Sequence, residues 1–164
     1  SHQEVDLGVS YTANEFSFGV SDYYYPSAVG EKDGYFKLSN RNTGHWVEAY
    51  ASWNGKKIPL WVTVSTYVFG ADKNEDGKQM YSAYAEVGYT HSFNDNNSMS
   101  LCVGANLNKS FYTEYQSGFN VVNINAKYRT AFKFGKFHLP VSAGYILNPY
   151  KNKSFFTMSL YFGI

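Results

Sequence analysis

The stretch VNINAKYRTAFKF, from Val122 to Phe134, decides the fold. Val122, Ile124, Ala126, Tyr128, Thr130, Phe132 and Phe134 fall on one parity, and Asn123, Asn125, Lys127, Arg129 and Lys133 on the other. A period of two belongs to a strand whose successive side chains point to opposite faces. One face is apolar and the other polar and cationic. If the apolar face lines a core, the chain is a soluble sandwich or barrel; if it meets lipid, the chain belongs to a membrane.

The same alternation recurs from end to end. It runs over Val5–Ala13, Phe16–Ser21, Val47–Trp53, Ile58–Ser65, Tyr81–Phe93, Met99–Leu107, the opening stretch, Phe137–Leu147 and Phe156–Ile164, which makes nine strands. No segment carries a helical period. Short connections fall at Asn14, at Asn54-Gly55-Lys56, from Asn94 to Asn97 and at Gly135-Lys136, and Asn-Gly is a strong two-residue hairpin signal. Long connections run from Pro26 to Gly44, Gly70 to Gln79, Asn108 to Gly118 and Asn148 to Ser154. A short-long rhythm is that of an up-and-down meander with short periplasmic turns and longer outer loops. No linker or composition shift divides residues 1–164, so they form one domain.

Composition narrows the choice of solvent. The formal net charge is +1, so there is no electrostatic footprint for nucleic acid. Charged residues are 16% of the chain, below the ~25% of ordinary soluble domains, while aromatics reach 20%. Cys102 is the single cysteine, which rules out an intrachain disulfide. No run approaches the ~20 apolar residues of a membrane helix. No secretory signal opens the chain, and Ser1 reads as the start of a mature or trimmed product.

Most charges sit in the connections, among them Glu31, Lys32, Asp33, Asp72, Lys73, Glu75, Asp76, Lys78, Lys136 and Lys151. The polar strand faces carry Ser, Thr, Gly, Asn and Tyr instead. A water-exposed sheet face would need more Lys and Glu than this. A narrow barrel interior needs small, hydrogen-bonding side chains, and Gly8, Gly19, Gly88, Gly104 and Gly144 all fall on the polar parity. Aromatics gather at strand ends: Phe16, Trp53, Phe93, Phe132, Phe134 and Phe137 beside short turns, and Tyr23, Tyr24, Tyr25, Tyr67, Tyr81, Phe119, Tyr145, Tyr150 and Phe155 beside long loops. Two belts about an apolar band are the interfacial girdles of a transmembrane barrel. The alternative, a soluble lipocalin-like barrel with the apolar face lining a ligand cavity, would leave an outer face too poor in charge.

The segments FSFGVSDYYYPS, VFGADKNEDGKQMYSAYAEVGYT, GFNVVNINAKYRTAFKF, LPVSAGYILNPY and the closing FFTMSLYFGI resemble the TorF-type porins, outer-membrane proteins of Bacteroides-like Gram-negative bacteria. The resemblance spans roughly Glu4 to Ile164 and rests on motif order and spacing. It implies an outer-membrane β-barrel of porin type, located in the bacterial outer membrane. Family members usually end in Phe, whereas this chain ends Phe162-Gly163-Ile164, and members carry further strands before the position of Val5.

The expected fold is therefore an all-β, antiparallel, up-and-down transmembrane β-barrel of 8–12 strands, about nine of them in this chain. On its polar faces Glu48, Glu86, Lys127, Arg129 and Lys133 line the lumen. They read either as an electrostatic filter for permeants or, preferably, as an ion-pair network that rigidifies the barrel, because desolvated charges need partners. The aromatics Tyr24, Tyr25, Tyr35, Phe36 and Trp46 around the first long loop suit a recognition surface.

DKNEDG, Asp72–Gly77, matches half a calcium loop, but the position of the bidentate Glu is Ala83, so a surface turn is the better reading. His2, His45, His91 and His138 show no metal spacing, and no Ser/His/acid set stands out. No cofactor, metal or enzymatic chemistry is expected. The expected function is a passive channel for small solutes or a structural pore. The alternative is a non-conducting barrel that binds a partner through its outer loops, and a lipid-modifying enzyme is the least supported. The expected partners are the outer-membrane bilayer, other outer-membrane proteins and a missing N-terminal barrel segment.

With the last strand ending in the periplasm, nine strands place Ser1 on the extracellular side, whereas bacterial single-chain barrels have even strand numbers and periplasmic ends. An open edge in lipid leaves a row of backbone groups unpaired. The expectation that follows is a fragment of a ten- to twelve-strand barrel, with strands before Val5 cleaved or supplied by another chain.

Overall fold

The structure, a computed structural model, describes residues 3–26, 34–38, 43–135 and 137–161. Ser1, His2, Glu31, Lys32, Asp33, Lys136, Phe162, Gly163 and Ile164 lie outside the described residues, as does the Phe137 side chain.

The strands are β1 (Val5–Ala13), β2 (Phe16–Tyr24), β3 (His45–Asn54), β4 (Leu60–Gly70), β5 (Ala83–Asn94), β6 (Asn97–Asn106), β7 (Asn120–Phe134), β8 (Phe137–Asn148) and β9 (Lys153–Leu160). They form one antiparallel sheet in sequence order, each strand hydrogen-bonded to the next. The one helical element among the described residues is a single 3-10 turn, Phe111–Thr113, in the third long connection. No described helix is long and apolar enough to cross a membrane, and strands are a separate matter. β7, which contains the opening stretch, is the longest strand at 15 residues. Its register with β6 pairs Lys127 with Ser100, and with β8 pairs Lys127 with Gly144.

Sidedness is unusual for a protein in water. Along β4, Leu60, Val62, Val64 and Val68 are exposed while Trp61, Thr63, Ser65 and Tyr67 are sheltered. Along β6, Met99, Leu101 and Val103 are exposed while Ser100, Cys102 and Gly104 are not. β2 repeats the rule with Phe16, Phe18 and Val20 outside. Leu101, for example, is 48% exposed. The apolar parity is thus the outer, convex face, and the polar parity is the concave one. The buried apolar residues are only Tyr24, Ala105 and Val122 among those described, so no soluble-type core lies on either side. The exposed apolar side chains of neighbouring strands form one continuous face.

Glycines let aromatic rings lie flat on the concave face. A Cβ at Gly19 would collide with the Tyr50 ring, one at Gly88 with the Trp61 indole and one at Gly104 with the Tyr84 ring. Gly19–Tyr50 and Gly88–Trp61 are direct cross-strand partners, so each ring occupies its partner's missing side chain.

Three points bear on the expectations. First, the sheet is not closed: β1 pairs only with β2 and β9 only with β8, and both faces of β1 are exposed. This agrees with the expectation that β1 does not close on the last strand, while the expected barrel is not formed among the described residues. Second, Asn54-Gly55 is not a two-residue hairpin. Residues 55–59 separate β3 from β4, Pro59 lacks the N–H a ladder needs, and Lys56 is pulled aside by Glu15, whose carboxylate accepts its N–H at 2.9 Å. Third, the strand expected from Tyr81 begins at Ala83, because Tyr81 has a left-handed φ of 51°.

Candidate functional site

The concave face carries the charged residues singled out above. Tyr23 and Glu48 point into it from β2 and β3, and Tyr84 and Glu86 from β5. Tyr23 donates its hydroxyl to Glu48 at 3.2 Å, and Tyr84 donates to Glu86 at 2.8 Å. Asn123 donates its amide to the Tyr84 oxygen at 3.2 Å. Both carboxylates are therefore held by phenols rather than by cations.

No ion pair joins Glu86 to Lys127 or Arg129 among the described residues; the close acid–base contacts there are His45–Asp22 and Lys151–Glu114. The expected ion-pair network is corrected on this point, and the register gives the reason. Glu86 pairs with Gly104, which pairs with Asn123, whereas Lys127 pairs with Ser100, which pairs with Thr90. The acid thus sits four residues nearer the long loops, roughly 13 Å along the strands. At the level of Lys127, Thr90 and Ser100 instead share a hydrogen bond of 2.9 Å. Lys133 lies further toward the short turns, exposed beside His138.

Asn54, Trp61, Glu86, Lys127, Arg129 and their small neighbours enclose a concavity of about 430 Å³ on this face. Its uncharged walls are amides, hydroxyls, one indole and the Cys102 thiol. Glu86 is the carboxylate among them, toward the long-loop side, and the two cations occupy the turn side.

The long-loop end of the concave face is filled by aromatic rings. The 3-10 turn folds inward and places Phe111 5.4 Å from both Trp46 and Tyr67, ring centroid to centroid. Tyr112 lies 5.3 Å from Tyr84 and 4.1 Å from Phe111. Burial pushes the Tyr112 phenol up from its usual range. Edge-on and tilted contacts at these separations are favourable aromatic geometries.

Asp72 fixes this loop. It is fully buried, accepting from the Ser82 N–H at 2.7 Å, the Ser82 hydroxyl at 2.6 Å and the Tyr115 hydroxyl at 3.0 Å. Ser82 Oγ in turn accepts the Phe111 N–H at 3.2 Å. Burial, with the Asp72 carboxylate alongside, raises the Tyr115 phenol. The half-match to a calcium loop is accordingly neither metal cage nor plain surface turn. Its first carboxylate is spent on three protein donors, and Asn74 Oδ1 accepts the Lys78 N–H at 2.9 Å. Among the described residues no group of His, Cys, Asp and Glu could hold a metal ion.

The first-loop aromatics divide. Trp46 belongs to β3 and faces inward, so it is part of the aromatic cluster at the long-loop end, the mouth of the concave face, and not of the loop. Tyr24 is buried at the end of β2, 4.6 Å from the His45 ring and 5.1 Å from Tyr35. Tyr25 donates to Glu4 at 2.7 Å, and this bond, more than its partial burial, raises its phenol to about 12. Tyr35 covers His45, and Phe36 projects into solvent, 89% exposed. His45 is 1% exposed; its Nε2 donates to the Tyr35 carbonyl at 2.6 Å, and its Nδ1 lies 2.8 Å from the Asp22 carboxylate. With Nε2 occupied, this His–Asp pair clamps the loop and is not arranged as a catalytic base. Asp22 lies on the otherwise apolar parity of β2, so the clamp sits on the outer side of the sheet.

Sequence reasoning found the charged face and missed the mouth, the Asp72 tie and the His45 clamp. One signal was present: SFYTEY, Ser110–Tyr115, is far more aromatic than a solvated loop requires. The clamp had no local signal, because Asp22 and His45 are separated by the whole first loop.

A scan against family models finds no match, and comparisons with curated proteins and with solved structures find none either.

Proposed function

We propose that this chain is the wall of a porin-type outer-membrane β-barrel whose concave face lines a passage for small polar solutes. The observation that carries the reading is the inverted sidedness of β2, β4 and β6: their apolar side chains are exposed on the convex face, while the hydroxyls, rings and small residues between them are sheltered on the concave one. Lipid satisfies such an outer band, and a closed strand circuit satisfies the edges. In this reading β1 and β9 each hydrogen-bond to further strands that complete the barrel. Kinship with the TorF-type porins is part of the same proposal and rests on motif order and spacing.

The test is reconstitution into liposomes followed by swelling in isotonic solutions of small sugars. Swelling that falls with sugar size supports a passage; protein that inserts with native β signal and gives no swelling contradicts it.

One observation favours a second reading, a non-conducting barrel that binds through its outer end. The aromatic rings of Trp46, Tyr67, Phe111 and Tyr112 occupy the mouth, while Phe36 and Leu38 stand exposed beside it.

A further inference from the structure

Lys127 and Arg129 are the unusual pair on the concave face. They are two residues apart on β7 and so project from the same side, about 6.6 Å apart along the strand. Neither has a carboxylate within ion-pair distance among the described residues. Their cross-strand partners are Ser98 and Ser100 on β6, and Ser142 and Gly144 on β8. These neighbours are small and offer hydroxyl donors rather than acids. Lys127 is half-buried and Arg129 exposed, so the pair presents two uncompensated positive charges to whatever enters the concavity, and such a charge cluster attracts anions. Asn125 and Ser100 complete the same wall of the concavity, and its volume of about 430 Å³ admits a small molecule. Glu86, the carboxylate on the opposite side, is occupied by the Tyr84 hydroxyl and stands a full four residues away along the ladder.

We propose that Lys127 and Arg129, with Ser100 and Asn125, form a binding site for a small oxyanion, a phosphate or carboxylate group presented by a small solute. Arg129 offers the planar fork that matches two oxyanion oxygens, and Lys127 supplies a second, movable charge. The hydroxyl and amide donors complete the oxygen shell. Glu86 limits the charge the site tolerates, so a monoanion or a solute carrying a donor at its far end fits better than a polyanion. This inference rests on the passage reading only in taking the concave face to be wet.

The experiment is calorimetric titration of the full chain in detergent with inorganic phosphate, repeated with K127Q, R129Q, K127Q/R129Q, E86Q and the remote control K153Q. The expected result is saturable phosphate binding that weakens at least tenfold in the double variant, weakens less in each single variant, strengthens in E86Q and is unchanged in K153Q. Far-ultraviolet circular dichroism of every variant establishes that the sheet is intact. If the double variant fails to fold, the two single variants decide. Phosphate binding that is absent, or equal in the wild type and the charge-removal variants, overturns the proposal. Because binding is read without a membrane, loss of this site with sugar-driven swelling intact removes the oxyanion site alone. Binding with no swelling removes the passage alone.

Discussion

The rings of Tyr112, in the connection between β6 and β7, and Tyr84, on β5, lie 5.3 Å apart between centroids. A loop residue is thus packed against the concave face instead of standing in solvent, and the mouth of the proposed passage is narrowed by the chain itself. Replacing Phe111 and Tyr112 together by Gly should widen it. In planar bilayers the expected outcome is a larger unit conductance with faster swelling for the bigger sugars. Conductance unchanged by the double substitution would show that the rings do not restrict the path.

The Trp61 indole fills the space above Gly88. Gly88→Val forces the ring to move and should destabilise the sheet by about 1–3 kcal/mol, the usual range for overpacking. Trp61→Ala removes the ring that is struck. The double variant should therefore lose less than the sum of the two single losses, measured by urea unfolding in lipid vesicles. Strict additivity would mean that the two residues do not share that space.

Asp72 satisfies three donors at once. Asp72→Ala leaves them buried and unpaired, at about 1–3 kcal/mol for each donor that water does not reach. The local readout is proteolysis between Asn108 and Gly118, which should become rapid in the variant while the strands resist. Asp72→Asn keeps an acceptor oxygen and should fall between the variant and the wild type.

Glu15 sits in the turn between β1 and β2, and its carboxylate accepts the Lys56 N–H at 2.9 Å and the Trp53 indole N–H at 3.0 Å. The Lys56 bond, followed by that of Trp53, lowers its pKa below the usual carboxylate value. A depressed carboxylate contributes stability that is present above its unfolded pKa and is lost as pH falls through the folded one. The contacts should accordingly hold at neutral pH and loosen below about pH 4.5, the start of the carboxylate range. The Trp53 indole N–H resonance in micelles should move over that window in the wild type and stay still in Glu15→Gln. A pH-independent resonance in the wild type would remove the bond from the account.

Strand identity was legible because the period of two is long and unbroken; β1, β5 and β7 carry nine or more alternating positions each. The placement of Glu48, Glu86, Lys127 and Arg129 on one face followed from parity alone. Their partners did not, since pairing depends on register between strands, and β5, β6 and β7 set Glu86 and Lys127 at different levels. Belt membership was legible only in part. Phe16, Phe93, Phe132 and Phe134 stand on the convex face near the short turns. Tyr23 and Tyr67, equally close to the long loops, fall on the inward parity and join the lining. The Val47/Glu48 irregularity shifts the β3–β4 register beside Tyr67, and no composition cue marks such a bulge. That β1 does not meet β9 was legible from the odd strand count. Which strands those two edges meet was furthest from reach, because alternation within a strand is silent on that.

The central claim is that the convex apolar face meets lipid and the concave polar face meets water. It is tested most directly by nitroxide scanning of β4 in liposomes after Cys102→Ser, with labels placed singly at Val62, Thr63, Val64 and Ser65. Relaxation by oxygen, which concentrates in lipid, should be strong at Val62 and Val64. Relaxation by a water-soluble nickel complex should be strong at Thr63 and Ser65. Equal accessibility at all four sites, or nickel preferring Val62 and Val64, would contradict the account.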